Sequence, residues 1–307
     1  MIKVEDIVYV RFRAPDLDQM EAFLTDFGMV RFERTADALY MRGTGPDPAV
    51  HITELGDPGF VGFALQAASE ADLEKLALAH GASVEARTEP GGGKRVLIAD
   101  PDGFPIEVIH GVEQLEVLPV QEIAPSNERL TKPRLGAEKR MSEGPSHVHR
   151  LGHCVINVTD YQKSAAWYHE QFGFLKSDEI FIGDEDTVLG SFMRCDCGPR
   201  FVDHHTLFLV GTGTPGFNHA AWEVADFDDL MLGRDVLAQK GYTPVWGVGR
   251  HVLGSQIFDY WRDPWGHMVE HWTDGDLFDA STPPNKQPID TLLAAQWGGA
   301  APPDMAG

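Results

Sequence analysis

From Val8 the chain reads VYVRFRAPDLDQMEAFLTDFGM: apolar and polar residues alternate, a polar turn follows at Pro15-Asp16, and apolar positions then recur at helical spacing up to Phe27-Gly28. This pattern predicts a strand, a turn and an amphipathic helix, with glycine where a helix C-terminus favours a left-handed residue. The same succession returns from His153 as HCVINVTDYQKSAAWYHEQFGF, ending at Phe172-Gly173-Phe174. A second pair follows. GFVGFALQAASEADLEKLALAHGA, from Gly59, is matched by GFNHAAWEVADFDDLMLGRDVLAQKGY, from Gly216, and their helices are expected to stop at Gly81 and Gly241. Last come two turns, Asp100-Pro101-Asp102-Gly103 and Asp263-Pro264-Trp265-Gly266, each followed by an apolar strand that carries a carboxylate, Glu107 or Glu270.

The chain is therefore expected to hold two similar domains, residues 1–112 and 149–275, each of two strand–helix–strands units, an α+β fold. Residues 113–148 are polar, Pro-containing and aperiodic, and read as a surface linker. Residues 276–307 form a tail; from Ser281 it is rich in Pro, Gly and Ala, has one apolar patch at Leu292-Leu293-Ala294-Ala295, and is expected to be loosely ordered at its end.

Where the halves differ, the difference is chemical. In this alignment His153 stands over Val8, His219 over Gly62 and Glu270 over Glu107, so one half offers His, His and Glu while the other keeps only the carboxylate. A lone strand histidine is more often a hydrogen-bonded core residue than a ligand. A carboxylate in an apolar strand is more telling, because a buried charge needs a cation or strong donors. Two imidazoles and a carboxylate are a ligand set for non-haem Fe(II). Cys195-Asp196-Cys197 is a single Cys-x-Cys without a second pair, and reads as two small half-buried residues rather than a zinc site.

Composition limits the partners. With a formal net charge of −22 over 307 residues and no polybasic run, neither nucleic acid nor an anionic membrane is expected. MIKVEDIVYV has no basic-then-apolar leader, no apolar run is long enough to span a bilayer, and three cysteines make no disulfide framework, so a cytoplasmic location is expected.

Gly152-His153, Phe217-Asn218-His219 and the run from Asp263 to Glu270 resemble the type I extradiol ring-cleaving dioxygenases of the vicinal oxygen chelate superfamily. The resemblance extends to Asp203-His204-His205-Thr206-Leu207, to Gly249-Arg250-His251 and to Tyr260, ten residues before Glu270. It implies incomplete barrels of paired βαβββ modules, a metal-free N-terminal domain, and Fe(II), or Mn(II), on His153, His219 and Glu270. It also implies a homo-oligomer acting on a catechol and O2, with His205 in acid–base work and Tyr260 and His251 orienting the substrate. Strand alternation argues that only one of His204 and His205 faces the site, and His205 is preferred. His251 could instead be a solvated loop residue, and Tyr260 a core aromatic whose hydroxyl found a partner. His267 and His271 are not assigned to the metal, and His147 and His149 read as surface or supporting residues. Trp222, Phe217 and Trp261 are candidate apolar walls. Two other readings stay open: a metal-dependent isomerase or lyase of the glyoxalase kind, and a metal-free small-molecule binder.

Overall fold

Val4–Ala14 and Val148–Val158 are the central strands of two separate sheets, and each is buried along almost its whole length. Near-continuous apolar burial is what a strand covered on both faces requires. The computed structural model describes residues 1–121 and 124–306. In the N-terminal sheet the strand order is 30–34, 38–42, 51–55, 4–14, 59–67, 105–110, 94–99, 85–86. The C-terminal sheet repeats it as 175–181, 188–194, 207–211, 148–158, 216–224, 268–273, 257–262. The fold is α+β, two pairs of βαβββ modules, each pair a curled, incomplete barrel.

The pairing rule within each half positions everything that follows. The first strands of the two modules pair antiparallel, 4–14 with 59–67 and 148–158 with 216–224. Each also pairs in parallel with the last strand of its own module, as in 216–224 with 268–273. Strands 148–158, 216–224 and 268–273 therefore lie side by side, although they are far apart in sequence.

The ladders correct the alignment at one end. His153 sits opposite Ala221, and Tyr9 opposite Ala64, so the counterpart of His153 is Tyr9 rather than Val8. Both helices start from an aspartate cap, Asp16 and Asp160, but the second runs to Phe172 before Gly173, whereas the first ends at Asp26 with Phe27 still to come before Gly28. One extra residue between cap and glycine shifts any alignment anchored on the Phe-Gly end.

The two halves share a core. Phe12 meets Phe217 edge to face at 5.0 Å, and the Trp222 indole N–H donates to the Val50 carbonyl. The described residues between 111 and 147 form neither helix nor strand. The tail contributes elements of its own. Asn285–Pro288 adds a parallel strand beside Leu175–Phe181, Ala295–Trp297 pairs with Gly249–His251, and a short helix spans Ile289–Leu292. Two open sheet edges supply the backbone partners that Pro/Gly/Ala composition alone does not reveal. Among the described residues no helix is long and apolar enough to cross a membrane.

Candidate metal centre

His153, His219 and Glu270 occupy the three adjacent strands just described, and one ligating atom from each lies within 4.8 Å of the other two. All three are buried, Glu270 completely. Nε2 of His153 stands 3.3 Å and Nε2 of His219 3.4 Å from Glu270 Oε2. Gly152 is needed beside His153, because a Cβ there would lie 2.4 Å from the indole nitrogen of Trp272.

The three ligating atoms converge on one point. Nδ1 of His219 donates to Asn218 Oδ1 at 2.8 Å, and the Asn218 amide is itself oriented towards Asn157 Oδ1. That fixes the tautomer and leaves Nε2 of His219 a bare lone pair. Burial holds His153 neutral, its pKa lowered to about 4 despite the nearby carboxylate. Burial would raise the Glu270 carboxyl, but the imidazole groups around it outweigh this and hold it well below the usual range. Neither Glu270 oxygen accepts a hydrogen bond among the described residues. A buried carboxylate with neither oxygen hydrogen-bonded is costly as it stands, and a divalent cation satisfies it and both imidazoles at once. The residues fit such an ion.

A cavity opens over the triad, and His205, His251 and Tyr260 line it. The His205 ring lies 4.0 Å from that of His153. Tyr260 faces Glu270 directly across the antiparallel ladder, and its hydroxyl is 3.0 Å from Nε2 of His251. Burial, then the Glu270 charge, raise the Tyr260 pKa well above that of a free phenol. Burial, then His153, push His205 well below an ordinary histidine. His251 is thus neither a solvated loop residue nor isolated: it stacks on Phe258 at 4.1 Å and reaches the cavity. His267 bonds Asp263 Oδ2 in its turn, and His271 points to the opposite face, 2.7 Å from the Phe27 carbonyl.

One expectation fails here. Trp222, Phe217 and Trp261 do not line this cavity; the two tryptophans are fully buried core, and Phe217 borders a different cleft. The wall is built by Phe192, Phe208, Trp246 and Leu253, and by Ile289, Leu292, Leu293 and Met305 of the tail. Of His204 and His205 only His205 lines the cavity, although both are buried and engaged. They lie in a bend between strands 202–203 and 207–211, where strand alternation does not apply. Sequence reading gave no role to Asn218; its place beside a candidate ligand was the available signal.

The N-terminal sheet has the same geometry with other chemistry. Glu107 sits opposite Ala64 as Glu270 sits opposite Ala221. Arg11, paired with Gly62 as Val155 pairs with His219, puts its guanidinium 2.7 Å from Glu107, and Arg95 adds a contact at 3.1 Å.

The "Glyoxalase/Bleomycin resistance protein/Dioxygenase superfamily" model matches residues 150–271. Among curated relatives, Metapyrocatechase 2 of Cupriavidus necator is 30% identical over 282 residues, covering 90% of this chain and 83% of that protein. The chain belongs to the type I extradiol ring-cleaving dioxygenase family of that superfamily. Among solved structures, the Mn(II)-bound glyoxalase from Novosphingobium aromaticivorans superposes with a TM-score of 0.80 at 24% identity, covering 99% of this chain and 95% of the other. Homoprotocatechuate 2,3-dioxygenase from Brevibacterium fuscum, in complex with 3,4-dihydroxyphenylacetate, gives 0.79 at 19% identity, covering 99% and 92%. At these identities the two structures share the fold.

Proposed function

We propose that this protein is an extradiol dioxygenase that opens a catechol with O2, using a divalent metal ion on His153, His219 and Glu270. The observation that carries the reading is the convergence of those three unsatisfied donor groups beneath an apolar cavity that also presents His205, His251 and Tyr260. Bound there, Fe(II) would make the catechol hydroxyls more acidic and bring the ring and oxygen into one electronic system. One relative is named as iron-dependent and another as manganese-dependent. Two histidines and a carboxylate accept either ion, and we favour Fe(II).

The chain's own residues supply the rest. The neutral His205 takes a proton from a catechol hydroxyl and returns it later to the opened product. Tyr260 and His251, already 3.0 Å apart, hydrogen-bond a substrate oxygen and fix the ring plane. Apolar side chains of the wall exclude water. No Lys or Arg is among the residues lining this cavity, so no ammonium or guanidinium there would pair with a carboxylate on the substrate. Its substituent is therefore neutral and apolar.

The test is anaerobic loading with Fe(II), then oxygen uptake across a panel of substituted catechols. Uptake with a yellow ring-opened semialdehyde acid is the expected result. Iron bound at one per chain without uptake would replace this reading with a metal-dependent isomerase or lyase. Absence of any bound metal would leave a small-molecule binder.

A further inference from the structure

Three titratable side chains run in line away from the cavity. Nδ1 of His205 lies 3.1 Å from Nδ1 of His204, and Nε2 of His204 lies 2.6 Å from Asp178 Oδ2. All three residues are more than nine-tenths buried, and of the three only His205 lines the cavity. The local structure is specific to this arrangement. A bulge in strand 175–181 falls between Lys176 and Asp178 in its pairing with strand 188–194. Ser177 and Asp178 are consecutive yet both turn inwards: the Ser177 hydroxyl donates to the His204 carbonyl at 2.6 Å, and Asp178 takes the ring. The His204 ring is enclosed by Phe192 and Phe278, each 5.3 Å away, and a Cβ on Gly254 would approach its Nδ1 to 3.1 Å.

The hydrogen bonds admit a consistent set of protons. A carboxylate can only accept, so Nε2–H of His204 donates to Asp178, and in the neutral ring Nδ1 of His204 is then an acceptor. That acceptor takes Nδ1–H of His205, so Nε2 of His205 carries the lone pair. We propose that Asp178 and His204 are positioning residues that orient His205 and hold it as the Nδ1–H tautomer, with a bare Nε2 towards the cavity. The ring-cleavage reading supplies the use of that lone pair, while the placing of the ring follows from the hydrogen bonds alone.

The test uses the full-length chain and two readouts. Nitrogen-15 NMR of histidine-labelled, metal-free protein reads which nitrogen of His205 carries hydrogen, and steady-state kinetics after Fe(II) loading separate kcat from KM. In the wild type His205 is expected as the Nδ1–H tautomer; an Nε2–H tautomer overturns the proposal without any variant. The double variant Asp178→Leu/His204→Phe removes both partners together and so leaves no buried unpaired charge. It is expected to bind metal normally, mix the His205 tautomers, and lose about 100-fold in kcat with KM within about twofold. The milder Asp178→Asn tests the same kinetic split with the least change of shape. Unchanged kcat in both variants overturns the role of the pair, whatever the tautomer. If the wild type opens no catechol, the activity reading fails separately, and the two spectra still decide whether the pair sets the His205 proton.

Discussion

The Arg11 guanidinium lies 2.7 Å from the Glu107 carboxylate, at the place in the N-terminal sheet that corresponds to Val155 beside the His/His/Glu group of the C-terminal sheet. One positional frame thus holds a buried carboxylate twice, answered in one half by an arginine and in the other by converging imidazoles. Arg11→Leu would leave Glu107 with Arg95 alone. It should cost about 3 kcal/mol in stability, and Arg11→Leu/Glu107→Leu should recover most of that. Denaturant midpoints decide; a single variant as stable as the wild type would show that the pair contributes nothing.

Asn218 tests whether His219 is held for a metal. Asn218→Ala removes the acceptor for Nδ1–H at 2.8 Å, and metal affinity should weaken roughly 10–100-fold, measured by competition with a chelator. His219→Ala should abolish retention altogether. Full metal content in His219→Ala would end the ligand assignment.

Tyr260→Phe removes one hydroxyl and little volume. Loss of a hydrogen bond to an ionised oxygen, about 1.5–3 kcal/mol, predicts a kcat lower by roughly 10–100-fold with metal content unchanged. Wild-type kinetics in this variant would take Tyr260 out of the site.

The apolar tail should set substrate preference. Leu292→Ala is expected to raise KM for catechols with an apolar substituent roughly 5–10-fold more than for unsubstituted catechol. Equal effects on both would mean that the tail does not contact the substituent.

His51 gives the fold a pH dependence of known sign. It is buried, stacked on Phe12 at 5.1 Å, and burial lowers its pKa to about 3. Above about pH 6.5 the unfolded chain is neutral there too, and no stability depends on the group. As pH falls below this value the unfolded chain binds a proton that the folded state refuses. Stability is lost, at a slope approaching about 1.4 kcal/mol per unit, until the folded pKa is reached. His51→Phe should flatten the curve between about pH 6 and 4 relative to the wild type; parallel curves would disprove the assignment.

The sequence by itself determined the repeat, and with it the fold class, because strand and helix periodicities, the aspartate caps and the terminal glycines are local signals. It also singled out His153, His219 and Glu270, since the second copy shows which positions changed in chemistry while the pattern stayed. Three features needed the tertiary structure. The one-residue offset between His153 and Tyr9 comes from cross-strand register, which only the ladders define. The cavity wall comes from strands and a tail remote in sequence, so Leu292 and Met305 stand over the site while the tryptophans that looked available are spent on the core between the halves. The line from Asp178 through His204 to His205 depends on a bulge and a bend that suspend strand alternation, and no periodicity in the chain announces either.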